Sequence, residues 1–394
     1  MAATGALSVR ALNRATLARQ GLLEPFDTAA AEAVRRAGSL QAQHPEWPPV
    51  ALASRAATPA AADLGGALER REVVRSSLMR ITIHVVDAAD LWPMFAVVQP
   101  LRLSQWRLLL KADPVDSPLG RRMLAAHEVA LAALREGPRS SLELDRLMAA
   151  EVGAEATATT RPAWRQQQSQ IVVRAAWRHF SALVPLVHVP HDGEGYGRSR
   201  YALATHWLGT EPPPIDEAAA RAHVARRYLA AFGPASVEDL AAYVGRGKGG
   251  LGAWRDALAA LDDEVVTLRG DDGRVLFDLV EAPRPDPVTE VPVRLLARWD
   301  SLLLSHATKT RQRVIADAHR AAVFTKNADV LPTFLVDGFV AGTWQLDRAD
   351  GAARVELMPF GSLDRRTATA LREEALRVLA LLAPGERHEV AVAA

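Results

Sequence analysis

The chain has 394 residues, 49% of them hydrophobic, so it can bury a substantial core and form roughly two to four domains. It contains no cysteine, which excludes disulfides, thiolate zinc sites and a cysteine nucleophile. Its formal net charge is +1, and nearly all of its 47 basic residues are arginines. Arginine pairs well with phosphate, but an arginine- and alanine-rich composition is also typical of GC-rich coding sequence.

The first hundred residues predict helices followed by a pair of strands. Apolar residues at helical spacing cover 8–20 and 28–40, the second with a cap at Asp27 or Thr28, and a short helix follows near 50–55. β-branched residues then predict strands over 73–80 and 81–86, before a helix over 87–99. Helices followed by a two-stranded hairpin are typical of a winged helix, which we predict for residues 1–112.

Two further units of the same kind are predicted downstream. Turn-forming residues at 113–118 predict a linker, followed by helices at 120–135, 142–150 and 162–180 and strands at 182–189 and 199–205. After three prolines come helices at 216–232, 237–244 and 251–261 and strands at 265–268 and 275–280. Both units carry Gly-Pro-x-Ser, at 137–140 and 233–236, which suits a helix-turn-helix corner. We therefore predict units at 113–212 and 213–288.

From residue 289 the pattern changes to strands, predicted at 293–299, 322–325, 333–344 and 353–358, with a final helix at 363–382. This predicts a small β-rich subdomain over 289–394, which we expect to pack on the third wing. The predicted fold class is therefore α+β, with three tandem winged-helix units followed by a β-rich C-terminal subdomain.

One segment, Ser-Leu-Gln-Ala-Gln-His-Pro at residues 39–45, ends the second predicted helix. In a continuous helix Gln41 and Gln43 would lie about 200° apart and could not serve one site. Gly38 and Pro45 favour an extended backbone, in which residues two apart face the same way and the two amides converge. The spacing alone is a weak signal, because residues 166–170 contain it twice on a predicted solvated helix face.

Four segments together resemble a known family. They are the glutamine segment at 39–43, the first wing at 78–86, Trp-Asp-Ser-Leu-Leu-Leu-Ser-His-Ala at 299–307 and Val-Leu-Pro-Thr-Phe-Leu-Val-Asp-Gly at 330–338. They are similar to segments of the bacterial tandem winged-helix proteins typified by the azinomycin-resistance DNA glycosylase, the AlkZ-like family. The resemblance extends from about residue 8 to about residue 382.

Members of that family are C-shaped monomers of three winged-helix units that excise N7-alkylated purines, some of them from interstrand crosslinks. The resemblance implies the same fold and activity here, with the family's Gln-Φ-Gln signature at Gln41 and Gln43. That form resembles the drug-resistance branch rather than the Gln-Φ-Asp housekeeping branch. Ile81 replaces a glycine that many relatives have in the first wing. Since a β-branched residue does not readily take a positive φ, we expect the turn of this wing to differ.

An N7-alkylguanine is already cationic, so its glycosidic bond can break without a protein acid. The amides then need only place a water and stabilise the sugar. The resemblance implies Gln41 and Gln43 as catalytic residues, with His44, Asp300 and His306 as candidate support. No lysine precedes Lys111, so the first unit offers no Schiff-base nucleophile. A monofunctional glycosylase that leaves an intact abasic site is expected.

The expected partner is duplex DNA containing alkylated purines, bound by arginines and a lysine of the helices and wings. The candidates are Arg10, Arg14, Arg35, Arg36, Arg75, Arg80, Arg165, Arg174, Arg178, Arg246 and Lys248. Taken alone, each of them is more readily explained as a solvated surface residue than as a DNA contact. No metal or cofactor is predicted, because the histidines are scattered and residues 245–250 lack phosphate-loop spacing.

We expect a monomer in the bacterial cytoplasm, associated with the nucleoid, because no apolar run approaches the ~20 residues that span a bilayer. Two other functions fit the same elements. A non-enzymatic tandem winged-helix regulator would bind a defined operator, although such regulators usually dimerise on half-sites. A drug-sequestering protein would bind the free natural product.

Overall fold

The computed structural model describes residues 6–109, 118–152, 180–191, 195–214, 216–245, 250–325 and 329–393. The helices in these ranges are Val9–Arg19, Ala30–Ala37, Trp47–Ala53, Pro59–Ala62, Leu64–Glu69, Leu91–Leu109, Pro118–Glu136, Ser141–Val152, Ala204–Leu208, Glu217–Phe232, Val237–Val244, Gly250–Ala259, Ser301–Leu304, Asp317–Val323 and Arg365–Leu382. The strands are β1 (Leu40–Gln41), β2 (Val73–Ser77), β3 (Ile83–Asp87), β4 (Leu186–His191), β5 (Gly195–Leu203), β6 (Val265–Arg269), β7 (Val275–Leu279), β8 (Arg294–Leu296), β9 (Thr333–Val336), β10 (Phe339–Ala349), β11 (Ala352–Pro359) and β12 (Arg387–Val392). None of the helices described is long and apolar enough to cross a membrane.

The second helix is shorter than predicted. It covers Ala30–Ala37, and Ala29 precedes it without a side-chain cap, so the predicted cap at Asp27 or Thr28 was wrong. The helix ends where Gly38 takes a φ of +81°. A Cβ at this position would lie 2.7 Å from the Cβ of Ala231, so only glycine fits both the backbone and the space. The chain leaves the helix here and becomes extended.

The first hairpin forms as predicted, with β2 and β3 antiparallel. Its turn contains the 3-10 helix Met79–Ile81, in which Arg80 has a φ of +53° and Ile81 a φ of +57°. Ile81 therefore adopts the positive φ that its side chain was expected to avoid. Hydrogen bonds hold the turn closed, from the N–H of Ile81 to Leu78 O at 3.0 Å and from the N–H of Leu78 to Thr82 O at 2.9 Å.

The first and second hairpins belong to one sheet, with the strand order β1-β3-β2-β4-β5. β2 pairs with β4 through Arg75 opposite His188 and Ser76 opposite Val187. The sequence did not predict this pairing between distant segments. Most of the predicted linker at 113–118 and of the predicted helix at 162–180 lies outside the described residues. The division of the chain at residues 112, 212 and 288 stays a prediction.

The next part of the chain follows the sequence analysis closely. The helices Glu217–Phe232, Val237–Val244 and Gly250–Ala259 precede the two-stranded sheet of β6 and β7. Ser236 caps the second of these helices, and the carboxylate of Asp239 accepts from the N–H of Ser236 in a complete capping box. The predicted helix-turn-helix corner at Gly-Pro-x-Ser is therefore confirmed as a capped helix start.

The C-terminal sheet has the order β12-β11-β10-β9-β8. The predicted strand at 322–325 was wrong, because helix Asp317–Val323 occupies its first two residues, and the parallel strand β12 was missed. Among the residues described, the sheet does not pack on the third wing as predicted, although residues of the segment 309–313, between β8 and β9, line one surface pocket with Asp271 and Arg274 of that wing. Phe334 and Trp344 of this sheet share a buried cluster with Val34 and Leu52 of the N-terminal unit. The sheet therefore supports the unit that carries the glutamine segment.

Strain at Ile81 gives a first testable prediction. A left-handed conformation costs an L-residue about 1–2 kcal/mol, and asparagine tolerates it better than a β-branched residue. Because Ile81 is only half-buried, Ile81→Asn should raise the free energy of unfolding by about 1 kcal/mol in urea titrations. Ile81→Val keeps the branched Cβ and should give no increase. Equal stability of the two variants would contradict strain at this turn.

Candidate active site

The glutamine segment forms the edge of the first sheet. β1 pairs antiparallel with β3, with Leu40 opposite Val85 and Gln41 opposite His84, and the N–H of Ala42 donates to Ile83 O at 2.7 Å. The extended backbone agrees with the sequence prediction. Leu40 and Ala42 are buried at 1% and 0% exposure, whereas Gln41 is 8% exposed and Gln43 is exposed. Gln41 is therefore nearly buried at the end of β1, and Gln43, just beyond the strand, is the exposed member of the pair.

The two glutamines are linked directly. The backbone N–H of Gln43 donates to Oε1 of Gln41 at 2.8 Å, which fixes the orientation of the Gln41 amide. Within the described residues, neither the NH2 group of Gln41 nor the side-chain amide of Gln43 has a hydrogen-bond partner. The segment therefore presents one oriented, nearly buried amide beside one exposed amide.

Arg75 holds the residue between the glutamines. This residue is 4% exposed, and its guanidinium donates to Ala42 O from Nε at 3.2 Å and from Nη2 at 2.9 Å. Its cross-strand neighbour is His188, whose pKa is lowered to about 3 by burial and by the positive charge of Arg75. His188 is therefore neutral at physiological pH, and the second hairpin packs an uncharged ring beside Arg75.

Ser39 anchors the other end of the segment to two distant parts of the chain. Its hydroxyl shares a hydrogen bond of 2.9 Å with the hydroxyl of Tyr243, on helix Val237–Val244. Its carbonyl accepts from Ser301 Oγ at 2.7 Å. All three groups are buried, so breaking either bond would leave a polar atom unpaired in the interior.

Asp300 supports this anchor without reaching the glutamines. Its carboxylate accepts from both terminal nitrogens of Arg55, at 2.7 and 2.9 Å, and both side chains have 0% exposure. It also caps helix Ser301–Leu304 by accepting from the N–H of Leu302 at 2.9 Å. Asp300 thus fixes the position of Ser301, and through it the carbonyl of Ser39.

His306 lies in the core rather than at the segment. Its Nε2 pairs with Phe232 O at 3.1 Å and its Nδ1 with Ser305 Oγ at 3.0 Å. Burial lowers the pKa of His306 to about 3, so it is neutral at physiological pH. His44, in contrast, is exposed next to Gln43 and stacks on Trp299 with 4.6 Å between ring centroids. Of the three candidate support residues, His44 lies beside the amides, Asp300 acts through Ser301, and His306 bonds elsewhere.

The candidate DNA-binding arginines divide by burial. Arg14 is fully buried and donates to Asp337, and Arg75 is buried as described above. Arg80 is half-buried, donates to Tyr243 O at 2.7 Å, and has a pKa lowered to about 10 by burial. The expectation that these three contact DNA directly does not agree with their positions, because their head groups are bound inside the protein.

Arg10, Arg35 and Arg36 remain accessible to a ligand. Arg10 pairs with Asp337 at 2.7 Å, Arg35 pairs with Glu32, and Arg36 lies over the ring of Phe26. The other candidates lie outside the described residues, and they are Arg165, Arg174, Arg178, Arg246 and Lys248. In the ranges that the structure covers, no group of three or more His, Asp or Glu side chains could hold a metal ion.

Sequence reasoning missed the residues that position the segment. Ser39 belongs to the recognised motif, but its sequence neighbours do not indicate its partners. Tyr243 lies 204 residues away and Ser301 262 residues away. The strand pairing that brings Arg75 to Ala42 also depends on tertiary structure. A single sequence carries no local signal for contacts at such separations.

Comparison with known proteins identifies the class of protein. A sequence model of the AlkZ-like DNA glycosylases matches residues 34–381, so the chain belongs to the AlkZ-like DNA glycosylase family. Among solved structures it is similar to the Streptomyces sahachiroi DNA glycosylase AlkZ, with a TM-score of 0.79 and 21% identity. The alignment covers 99% of this chain and 100% of that chain, and at this identity it shows a shared fold. No curated protein sequence matches the chain.

The buried histidines predict acid sensitivity. Burial lowers the pKa of His84, the cross-strand neighbour of Gln41, to about 3, and the nearby charge of Arg80 lowers it further in the same direction. An unfolded histidine has a pKa of about 6.5, so below that pH the unfolded chain takes up protons that the native protein does not. The free energy of unfolding should therefore decrease as the pH is lowered from about 6.5 to about 3, by about 1.4 kcal/mol per pH unit for this histidine.

The contribution of His84 can be isolated by comparing slopes. Urea unfolding of wild type and His84→Gln at pH 7, 6 and 5 should show a shallower pH dependence in the variant. The slope is informative even if the substitution lowers stability at every pH. Parallel slopes in the two proteins would contradict a neutral, buried His84.

The Ser39 anchor predicts an effect on activity. Tyr243→Phe removes the hydroxyl that bonds Ser39 and should lower the rate of base release from duplex DNA about tenfold, because the segment loses its fixed position. Tyr228→Phe is a matched control. Its hydroxyl donates to Ser305 O at 2.9 Å in the same buried cluster, without contacting the segment.

Both substitutions should lower the free energy of unfolding by about 1 kcal/mol, since each leaves a buried group unpaired. Only Tyr243→Phe should slow base release in single-turnover assays. If both variants slowed it equally, the effect would come from general destabilisation rather than from the anchor.

Proposed function

We propose that the chain is a monofunctional DNA glycosylase that hydrolyses the N-glycosidic bond of N7-alkylated purines in duplex DNA. Bulky natural-product adducts and interstrand crosslinks are the substrates we propose within that class, for repair or for self-resistance of a producing organism. The observation that carries this proposal is the pair of neutral amides at the end of the edge strand β1, where the N–H of Gln43 donates to Oε1 of the nearly buried Gln41 and the Gln43 side chain is exposed. Membership of the AlkZ-like DNA glycosylase family supports it.

Neutral amides suit a cationic leaving group. Ordinary glycoside hydrolysis uses one carboxylic acid to protonate the leaving group and one carboxylate on the opposite face of the sugar. An N7-alkylpurine carries a positive charge, and when the N9–C1′ bond breaks its electron pair neutralises the base. No proton donor is then required, and the protein has only to stabilise the sugar and place a water.

The two amides take different parts in this step. Oε1 of Gln41 already accepts from the N–H of Gln43, so the NH2 group of Gln41 is the end that can donate to a water or a phosphate oxygen. The exposed amide of Gln43 can direct its oxygen toward the water that attacks C1′. An amide does not bind a proton at neutral pH, so the proton lost by the water passes to solvent.

The product should be an intact abasic site. The first lysine of the chain is Lys111, so the segment around the amides supplies no amine for a Schiff base with the sugar. The one carboxylate that positions the segment, Asp300, is bound by Arg55 on both oxygens. Asp300 is therefore not available as the nucleophile of a covalent glycosyl intermediate.

DNA would be bound through phosphate contacts. We propose the exposed Arg10, Arg35 and Arg36 as contributors, with Arg165, Arg174, Arg178, Arg246 and Lys248 as further candidates outside the described residues. Such contacts release counterions, so affinity for duplex DNA should fall steeply as salt rises. We also propose that the protein acts as a monomer.

The glutamine pair can be tested by substitution. Gln41→Ala and Gln43→Ala should each lower single-turnover release of N7-methylguanine from duplex DNA by about a hundredfold, the range typical of removing a preorganised polar group. Affinity for the same duplex should stay within about twofold, because phosphate contacts dominate binding. Gln99→Ala, a half-buried glutamine in helix Leu91–Leu109, is the matched control and should release base at the wild-type rate.

The outcomes separate the proposals. Unchanged release in both variants would remove the glutamines from the mechanism. Absence of release by wild type, combined with a footprint at one defined sequence, would favour a regulator. Tight binding of a free alkylating natural product without base release would favour a sequestering protein.

A further inference from the structure

Trp299 has an unusual backbone for its side chain. Its φ is +52°, in the left-handed region, where a bulky aromatic residue is a genuine outlier. The surrounding contacts enforce this conformation. The N–H of Trp299 donates to Val330 O at 3.0 Å, and the next residue, Asp300, is fixed by its two hydrogen bonds from Arg55. Strain maintained in this way tends to occur at functional sites.

The strained backbone places the indole against His44. The two rings are stacked at 4.6 Å between centroids with an interplanar angle of 21°. The guanidinium of Arg298 also lies over the indole, at 4.9 Å from a ring centroid, and pairs with Asp329, so the indole contacts both a histidine and an arginine. His44 is the outer ring of this stack, with 52% of its side chain exposed. Trp299 thus fixes the plane of a half-exposed ring, whose Nδ1 lies 3.5 Å from Oε1 of the exposed Glu46.

The location of this ring relates it to the proposed chemistry. His44 directly follows Gln43, and a purine is bonded directly to the C1′ that the two amides would address. A purine bonded to that C1′ would therefore lie about one side-chain length from His44. Stacking on an aromatic ring suits any purine and does not require hydrogen bonds to its edges. It would therefore tolerate the varied alkyl groups attached at N7.

We propose that His44 stacks on the N7-alkylated purine and that Trp299 is a positioning residue that holds the His44 ring in place. This inference rests on the proposed glycosylase function and names a base-binding surface for it. His44 contacts the substrate, whereas Trp299 acts through His44. The alternative is that His44 only covers the indole, as part of the fold.

The test uses duplex DNA with a single N7-methylguanine and the same duplex without the lesion. His44→Ala should raise the protein concentration at half-maximal single-turnover rate by about fivefold or more. The maximal rate and the affinity for undamaged duplex should stay within about twofold. His44→Phe keeps an aromatic face and should remain close to wild type.

A double variant tests the role of Trp299. Trp299→Leu should raise the protein concentration at half-maximal single-turnover rate, as His44→Ala does. In the double variant, His44→Ala with Trp299→Leu, this concentration should be no higher than in His44→Ala alone, because Trp299 acts through a ring that is no longer present. Additive effects would overturn the positioning role. If Trp299→Leu does not fold, His44→Ala and His44→Phe still decide the stacking contact.

Failure of this inference differs from failure of the proposed function. An unchanged half-saturation in His44→Ala, or an equal loss of affinity for undamaged duplex, would overturn the stacking contact while wild type still releases base. A loss of stability in His44→Ala without a change in half-saturation would support the covering role. No release by wild type would instead overturn the glycosylase proposal itself.

Discussion

The hydrogen bonds of Ser39 are the constraint on which the candidate site depends. β1 has only two residues, too few to fix its own position. The hydroxyl of Tyr243 and the hydroxyl of Ser301 hold the residue that precedes it, and they come from segments more than 200 residues away. Gly38 adds a steric constraint, because its close approach to Ala231 leaves no room for a side chain. The direction of the glutamine pair is therefore a property of the whole folded chain.

Strained residues surround this segment. Arg80 and Ile81 have positive φ in the turn after β2, and Trp299 has one beside His44. Each is held by neighbouring contacts, since Arg80 donates to the carbonyl of Tyr243 and Trp299 donates to that of Val330. Such conformations cost energy and persist only where the surrounding structure fixes them. Here they serve the same region, because Tyr243 contacts both Arg80 and Ser39.

Composition alone does not distinguish arginines that could bind DNA from arginines that are buried in the protein. Arg14, Arg19 and Arg55 are among the most buried polar residues and bind carboxylates or carbonyls inside the protein. A sequence gives no sign of this, because a buried arginine and one that binds phosphate can occupy the same position of a helix. Their pairing with Asp337, Asp278 and Asp300 depends on segments that meet only in the folded chain. Burial therefore separates the candidate DNA contacts from the structural arginines.

The sequence alone determined the local features. It predicted the helices and hairpins that follow from periodicity and β-branching, the extended backbone after Gly38, the capped helix at Ser236 and the family to which the chain belongs. Tertiary structure decided the rest, including the joining of two hairpins into one sheet and the packing of the C-terminal sheet on the N-terminal unit. It also decided which side chains surround Gln41 and Gln43. The physical reason is that periodicity and capping act within a few residues, whereas hydrogen bonds between distant segments form only when the chain has folded.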